Sequence, residues 1–240
     1  MKDFAIYCPV RNKALDFAIK SLPVSPAPGT QITHLLLPIP SFAGDGSIRG
    51  GGDLETVLSV LPRNVTVIGG NLQHPVLAGY ETVDLLQDAF YVSENADITA
   101  RCAIKLLSDC LPCTLKDCPV LILGWGRIGK CLARLLRAND ARVTVYARKE
   151  TDRGLLKALG YAVQDTPNPI GFRAVINTAP APVLPDCPKD ILKMELSSVM
   201  GIGGNDVLWA KGLPATCAPE SSGKLIADTT VRLLKKEEPL

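Results

Sequence analysis

The chain has 240 residues, 47% hydrophobic and 21% charged, with a formal net charge of +2. That composition suits a globular protein with a buried core and excludes a disordered or fibrous one. The charge is too small to point to a nucleic-acid partner, and no apolar stretch approaches the roughly 18 residues of a membrane span. No hydrophobic leader follows Met1-Lys2-Asp3-Phe4, so a cytoplasmic protein is expected.

In the first half, Phe4 to Cys8 reads as a short strand and Arg11 to Lys20 as a helix. Pro23 to Gly29, with three prolines and a glycine, is a loop. Thr33 to Leu37 is an apolar run closed by Pro38 and Pro40, as in a buried parallel strand. Ser41 to Gly52 holds five glycines in twelve residues. A loop of this kind after a strand is either a plain surface loop or a ligand loop, since open α/β sheets bind at the C-terminal strand ends. Val65 to Ile68 is another strand, and Asn95 to Leu111 a helix leading into the second half.

Around that helix's end lie Cys102, Cys110, Cys113 and Cys118, four of the eight cysteines. Without a secretory context disulfides are not expected. The Cys110-Leu-Pro-Cys113 pair with Cys102 and Cys118 could assemble zinc, but reduced thiols acting as small apolar residues fit better. No metal is expected.

The second half alternates regularly. Val120 to Leu123 is a strand and Arg127 to Ala138 an amphipathic helix, with Ile128, Leu132, Leu135 and Leu136 on one face. Arg142 to Tyr146 is a strand. Thr151 is a plausible N-cap of a helix that stops at Gly160. Ala174 to Asn177 and Ile191 to Leu196 are further strands, Ser222 to Lys235 a last helix, and Lys235 to Leu240 a frayed tail. Strands alternating with helices imply a parallel, doubly wound sheet. The expected fold class is α/β: two Rossmann-like domains with doubly wound parallel sheets, the N-terminal one smaller and degenerate. The expected division is 1–94 with a C-terminal helix at 222–240, and 95–221.

The chemistry centres on Gly124-Trp125-Gly126-Arg127-Ile128-Gly129. This GxGxxG follows an apolar strand and opens a helix, the context a dinucleotide fingerprint requires. Gly124 suits the tight turn, Gly126 a close pyrophosphate, and Gly129 helix–strand packing. A site for NAD carries an acid at the end of the next strand. Here that position reads Ala147-Arg148-Lys149, two cations suited to a 2′-phosphate, so NADP is preferred, with Glu150 keeping NAD open. Asn177-Thr178-Ala179-Pro180 and Glu195-Leu196-Ser197-Ser198 end later strands on the same rim, and either is a ligand contact or a turn.

These pieces in this order resemble the dipicolinate synthase A chain from about Leu35 onward. The first half contributes Leu35 to Pro40 leading to Gly44-Asp45-Gly46. The second contributes the glycine turn, Ala147-Arg148, Ile176 to Pro180, and Glu195 to Ser198 before Gly203-Gly204. The resemblance implies an NADP-dependent oxidoreductase acting on a dihydrodipicolinate-type cyclic dicarboxylate in a cleft between two domains. It also implies a role in sporulation with a B-type partner subunit; a homo-oligomer is compatible with it. Cofactor contacts would come from Gly124, Trp125, Gly126, Arg127, Ile128, Gly129, Arg148, Lys149, Asn177, Thr178, Ala179, Pro180 and Glu195. Substrate-side candidates are Ser41, Asp45 and Thr99, with Arg49 or Arg101 for a carboxylate. No single acid or base stands out.

The chain departs from the family pattern at three places: Arg101 stands where a Glu is usual, Cys217 to Gly223 differs before the last helix, and Tyr7 to Arg11 lacks a glycine turn. A non-catalytic or regulatory nucleotide-binding subunit is therefore the alternative. The related 2-hydroxyacid dehydrogenases use a late His, whereas this chain has only His34 and His74, both before the turn.

Overall fold

The computed structural model describes residues 5–23 and 31–236. The loop expected over Pro23 to Gly29 lies outside the described residues from 24 on, as do Phe4 and residues 237–240 of the tail. The chain divides into two units, Met1–Asn95 with Pro214–Leu240, and Ala96–Leu213.

The first unit holds strands β1 (Ile6–Tyr7), β2 (His34–Leu36), β3 (Thr66–Gly69) and β4 (Thr82–Asp84), all parallel and in that order. Its helices are α1 (Lys13–Ser21), α2 (Leu54–Ser59) and α7 (Pro219–Lys236). Side chains alternate across a strand, so the apolar run at β2 serves two faces. Leu35 and Leu37 pack with Val67 and with Leu54 and Leu58 of α2. Leu36 faces the other way, joining Ile68, Val83, Leu15 and Ala18 of α1, and Ile226 and Ala227 of α7. Asn12 starts α1 by accepting the Leu15 N–H at 2.9 Å.

The packing of α7 on α1 depends on Gly223. A Cβ there would lie 2.5 Å from the Phe17 Cβ and 2.8 Å from the Ala18 nitrogen. Two helices cross this closely only where one presents no side chain. Arg232 of α7 adds a hydrogen bond of 2.6 Å to Asp88, whose carboxylate also accepts the Tyr91 N–H at 2.7 Å.

The second unit begins within α3 (Ala89–Cys110) and holds β5 (Pro119–Leu123), α4 (Arg127–Ala138), β6 (Arg142–Tyr146), α5 (Glu150–Ala158), β7 (Ala162–Gln164), β8 (Ala174–Asn177), β9 (Leu192–Glu195) and β10 (Leu208–Trp209), before α6 (Leu213–Cys217). Its six strands are parallel, in the order β10-β9-β8-β5-β6-β7. Strand order reverses between β5 and β8, the switch point where doubly wound sheets open a crevice at their C-terminal edge. Leu121 and Leu123 face Val175, Leu184, Ile191 and Ile202, while α4 covers β5 and β6.

Several boundaries differ from the sequence expectation. α3 starts at Ala89 rather than Asn95, because Asp88 caps it. α5 starts at Glu150 with Lys149 at the N-cap, so Thr151 is already helical. α7 starts at Pro219, a residue suited to a first turn because it lacks the N–H. β4, β7 and β10 carry too few apolar residues to be seen in sequence.

Lys193 lies within β9 with its side chain fully buried. Its ammonium donates to the Pro188 carbonyl at 2.9 Å and to Asp206 at 2.8 Å. This buried cation ties the segment before β9 to the one before β10, and its hydrogen bonds offset the cost of leaving water. The Lys193 hydrogen bond also holds the Asp206 carboxyl below its ordinary value of 3.8.

Two outcomes are expected, the first from packing. Gly223→Ala destabilises the protein by about 1–3 kcal/mol in urea titrations, the cost of overpacking. Gly154→Ala, at a helical site where a Cβ meets nothing within 4 Å, stabilises it by about 0.5–1 kcal/mol. The second outcome concerns acid. A carboxyl depressed in the folded state adds stability above its unfolded value and loses it as pH falls through the lower folded one. Asp206→Asn is therefore less stable than wild type at neutral pH, and the gap closes below pH 3.8; denaturation across pH reads both.

Candidate functional site

The glycine turn sits at the switch point. Gly124 has φ of +106°, a left-handed conformation that favours glycine. A Cβ there would come 2.9 Å from the Thr178 hydroxyl and 3.2 Å from the Ala179 Cβ. A Cβ on Gly129 would collide with the Gly124 carbonyl oxygen and lie 3.0 Å from the same Thr178 hydroxyl. The two motif pieces read separately in sequence therefore touch. Thr178 seals the contact by donating to the Leu123 carbonyl at 3.1 Å.

Gly126 is different. It is exposed, and a Cβ there would meet nothing within 4 Å. It is also the N-cap of α4, which has no side-chain cap. The first N–H groups of α4 are thus presented to open space with the positive end of a helix dipole behind them. That arrangement binds anions, and phosphates above all. Trp125 leaves its Nε1 buried without a protein partner. Its ring rests edge-on against Tyr161, at 5.7 Å between centroids. Arg127 is exposed and Ile128 half-buried. An orphaned donor, an open glycine and an uncapped helix start all fit a dinucleotide's pyrophosphate at this turn.

Asn177 and Glu195 end β8 and β9, are both fully buried, and bond to each other at 2.8 and 3.0 Å. Glu195 also accepts the Ser197 N–H at 3.0 Å and the Gly201 N–H at 2.7 Å. Asn177 accepts the Ala179 N–H at 3.1 Å and donates to the Ala179 carbonyl at 2.9 Å. These two side chains shape the loops rather than facing outward. Thr178 and Ala179 are half-buried and Pro180 is exposed. Gly201 belongs to the same network, since a Cβ there would collide with the Asn177 amide. The sequence reading missed Gly201; its place six residues after Glu195 was the available signal.

At the end of β6, Arg148 and Lys149 are exposed. The Tyr146 carbonyl accepts the Gly124 N–H at 2.9 Å, which ties this strand end to the glycine turn. Arg153, not foreseen from sequence, donates from one Nη to the carbonyls of Ala147 at 3.0 Å and Arg148 at 2.7 Å. Glycine turn, cations and the β8 and β9 ends thus share one edge of one sheet. Cavities of about 620 Å³ beside Cys113 and Lys116 and about 280 Å³ beside Phe172 and Arg173 open by contrast at the N-terminal edge.

The substrate-side candidates are more engaged than the sequence suggested. Ser41 is fully buried; its hydroxyl donates to the Pro38 carbonyl at 2.9 Å and accepts the Gly70 N–H at 3.0 Å. It locks two strand ends together. Asp45 accepts from the Ser47 hydroxyl at 2.7 Å and N–H at 3.0 Å, which hold its carboxyl below the ordinary range. Thr99 is buried within α3. Arg101 is exposed and paired with Asp97 at 2.6 Å; Asp97 also holds Arg134 at 2.9 Å. Arg49 donates from Nε to the Phe42 carbonyl at 2.8 Å. His74 stacks on the Phe42 ring at 4.7 Å, with Nδ1 accepting the Val76 N–H. Among the described residues no three of His, Cys, Asp or Glu are arranged to hold a metal, so the zinc grouping of Cys102, Cys110, Cys113 and Cys118 is not formed.

The Glu195 network yields a further expected outcome. Glu195→Gln turns an acceptor into a donor facing N–H groups, which costs about 1–3 kcal/mol for the donors left unsatisfied. Hydrogen exchange speeds at the Ser197 and Gly201 amides, while amides of β6 keep their protection.

No protein-family model matches the chain. Its fold is similar to that of the dipicolinate synthase A chain from Bacillus halodurans, with a TM-score of 0.69, 23% identity, and coverage of 89% of this chain and 83% of that one. The dipicolinate synthase A chain from Bacillus subtilis gives 0.67 and 22%, over 88% and 80% of the two chains. A transhydrogenase from Sinorhizobium meliloti gives 0.57 and 12%, over 85% and 74%. The resemblance to the dipicolinate synthase A chain, read from strand-end motifs in the sequence, extends to the fold of most of the chain.

Proposed function

We propose that this chain is an NADP-dependent oxidoreductase of the dipicolinate synthase A-chain type, acting on a cyclic dicarboxylate related to dihydrodipicolinate. One observation carries the nucleotide part: the Gly124–Gly129 turn, closed against Thr178, aims an uncapped helix start at open space beside the switch point. The substrate part comes from the resemblance in motif and fold, as do a role in sporulation and a B-type partner subunit.

In this reading the α4 N–H groups and Gly126 hold the pyrophosphate, and Trp125 Nε1 finds its acceptor at the same turn. Arg148 and Lys149 hold the 2′-phosphate, as the fork of Arg suits a dianion. Thr178 and Ala179 border the path of the nicotinamide half, kept in place by Asn177 and Glu195. When bound, the nucleotide supplies the hydride chemistry; the protein contributes orientation and electrostatics.

A nucleotide-binding subunit without chemistry of its own is the second reading. It is favoured by the internal hydrogen bonds that engage Ser41, Asp45, Asn177 and Glu195.

Titration with NADPH and NADH, followed by ligand fluorescence, tests the proposal. NADPH is expected to bind about tenfold more tightly or better, from charge-assisted bonds to the phosphate. Arg148→Ala removes that preference and leaves NADH binding unchanged, while Gly129→Val abolishes both. If neither nucleotide binds at millimolar concentration, the proposal fails. Turnover of dihydrodipicolinate by the NADPH-binding protein, alone or with a B-type subunit, favours the enzyme; binding without turnover favours the second reading.

A further inference from the structure

Arg153 lies in the first turn of α5, half-buried, and its guanidinium bridges two successive carbonyls at the end of β6. α5 does not need this bridge to start: its first backbone bond, Arg153 N–H to the Lys149 carbonyl, is made at 3.1 Å. The bridge acts instead on the Ala147-Arg148-Lys149 turn. In a trans peptide the carbonyl and the following N–H point in opposite directions. With the carbonyls of Ala147 and Arg148 both turned to Arg153, the N–H groups of Arg148 and Lys149 are turned away from it. Neither has an acceptor among the described residues. Lys149 is also the N-cap of α5, which has no side-chain cap.

One turn therefore presents two successive backbone N–H groups, the Arg148 and Lys149 side chains, and the positive end of a helix. Successive free N–H groups form a concavity suited to an anion. Glu150 and Asp152 bring negative charge to the same helix turn. Arg153 offsets one of them and withdraws two carbonyl oxygens that would otherwise repel an anion.

We infer that Arg153 is the positioning residue for nucleotide selectivity: it holds the 147–149 turn so that Arg148, Lys149 and their N–H groups receive a phosphate on the ribose 2′ position. This rests on the nucleotide reading proposed above. Arg153 acts through the turn and does not itself touch the phosphate. A lysine there keeps the charge and has N–H groups enough for both carbonyls, but its flexible stem holds them less firmly than the planar guanidinium does.

The test measures NADPH and NADH affinities of wild type, Arg153→Met, Arg153→Lys, Arg148→Ala and the Arg148→Ala/Arg153→Met double variant. Arg153→Met is expected to weaken NADPH about tenfold, the scale of one charged hydrogen bond, with NADH unchanged as the control for folding. Arg153→Lys falls between it and wild type. The double variant loses less than the sum of the two single losses, because residues that act through one turn are coupled. Equal weakening of both nucleotides by Arg153→Met would mean a merely structural prop and overturn the inference. So would losses that add in full in the double variant, which would mean direct contact with the phosphate. Selectivity that survives Arg153→Met overturns this inference alone; a wild type that binds both nucleotides alike overturns the NADP reading together with it.

Discussion

The second unit is organised around a contact that leaves no room for a side chain. Gly124 turns the chain at positive φ, Gly129 brings α4 back against the Gly124 carbonyl, and Thr178 fills the remaining space from the neighbouring strand. Because the approach is backbone to backbone, α4 begins directly over the end of β5. Its free N–H groups then face the crevice rather than the body of the sheet. The open, uncapped start of α4 at this edge follows from that geometry.

Around the turn, polar side chains divide into those that build and those that face outward. Asn177 and Glu195 are buried and bonded to backbone groups on both sides, so they fix where the loops after β8 and β9 run. Arg148 and Lys149 are exposed and carry no carboxylate partner among the described residues. Arg153 stands between the two classes, half-buried and bonded to carbonyls. Buried polar groups stabilise only when satisfied, and here the satisfied ones are those that set backbone geometry.

The first unit solves a different packing problem. Its four short parallel strands cannot bury both faces without helices on each side, and the C-terminal α7 covers the face that α1 covers in part. Gly223 allows that pairing. The last helix thus belongs to the first unit although the whole second unit intervenes in sequence. On this unit Ser41 proved to be a lock between strand ends, and Asp45 part of a local turn with Ser47.

The sequence alone determined the α/β class, the long apolar strands and the glycine turn, because each is written in local pattern: an apolar run, a 3.6-residue period, a GxGxxG between them. It also placed Arg148 and Lys149 at a strand end. Short edge strands such as β7 and β10 were not legible, since two or three residues carry no periodicity. The helix start at Ala89 was missed because Asp88 acts through a hydrogen bond to backbone that spacing does not reveal, and the one at Glu150 because Lys149 stands at the N-cap without a side-chain cap. Only the tertiary structure decided that Thr178 touches Gly124, that Glu195 is a buried scaffold, that Lys193 can sit inside a strand, and that Arg153 turns the 147–149 carbonyls. Each of these is a contact between residues distant in sequence or a direction of the backbone, and local pattern encodes neither.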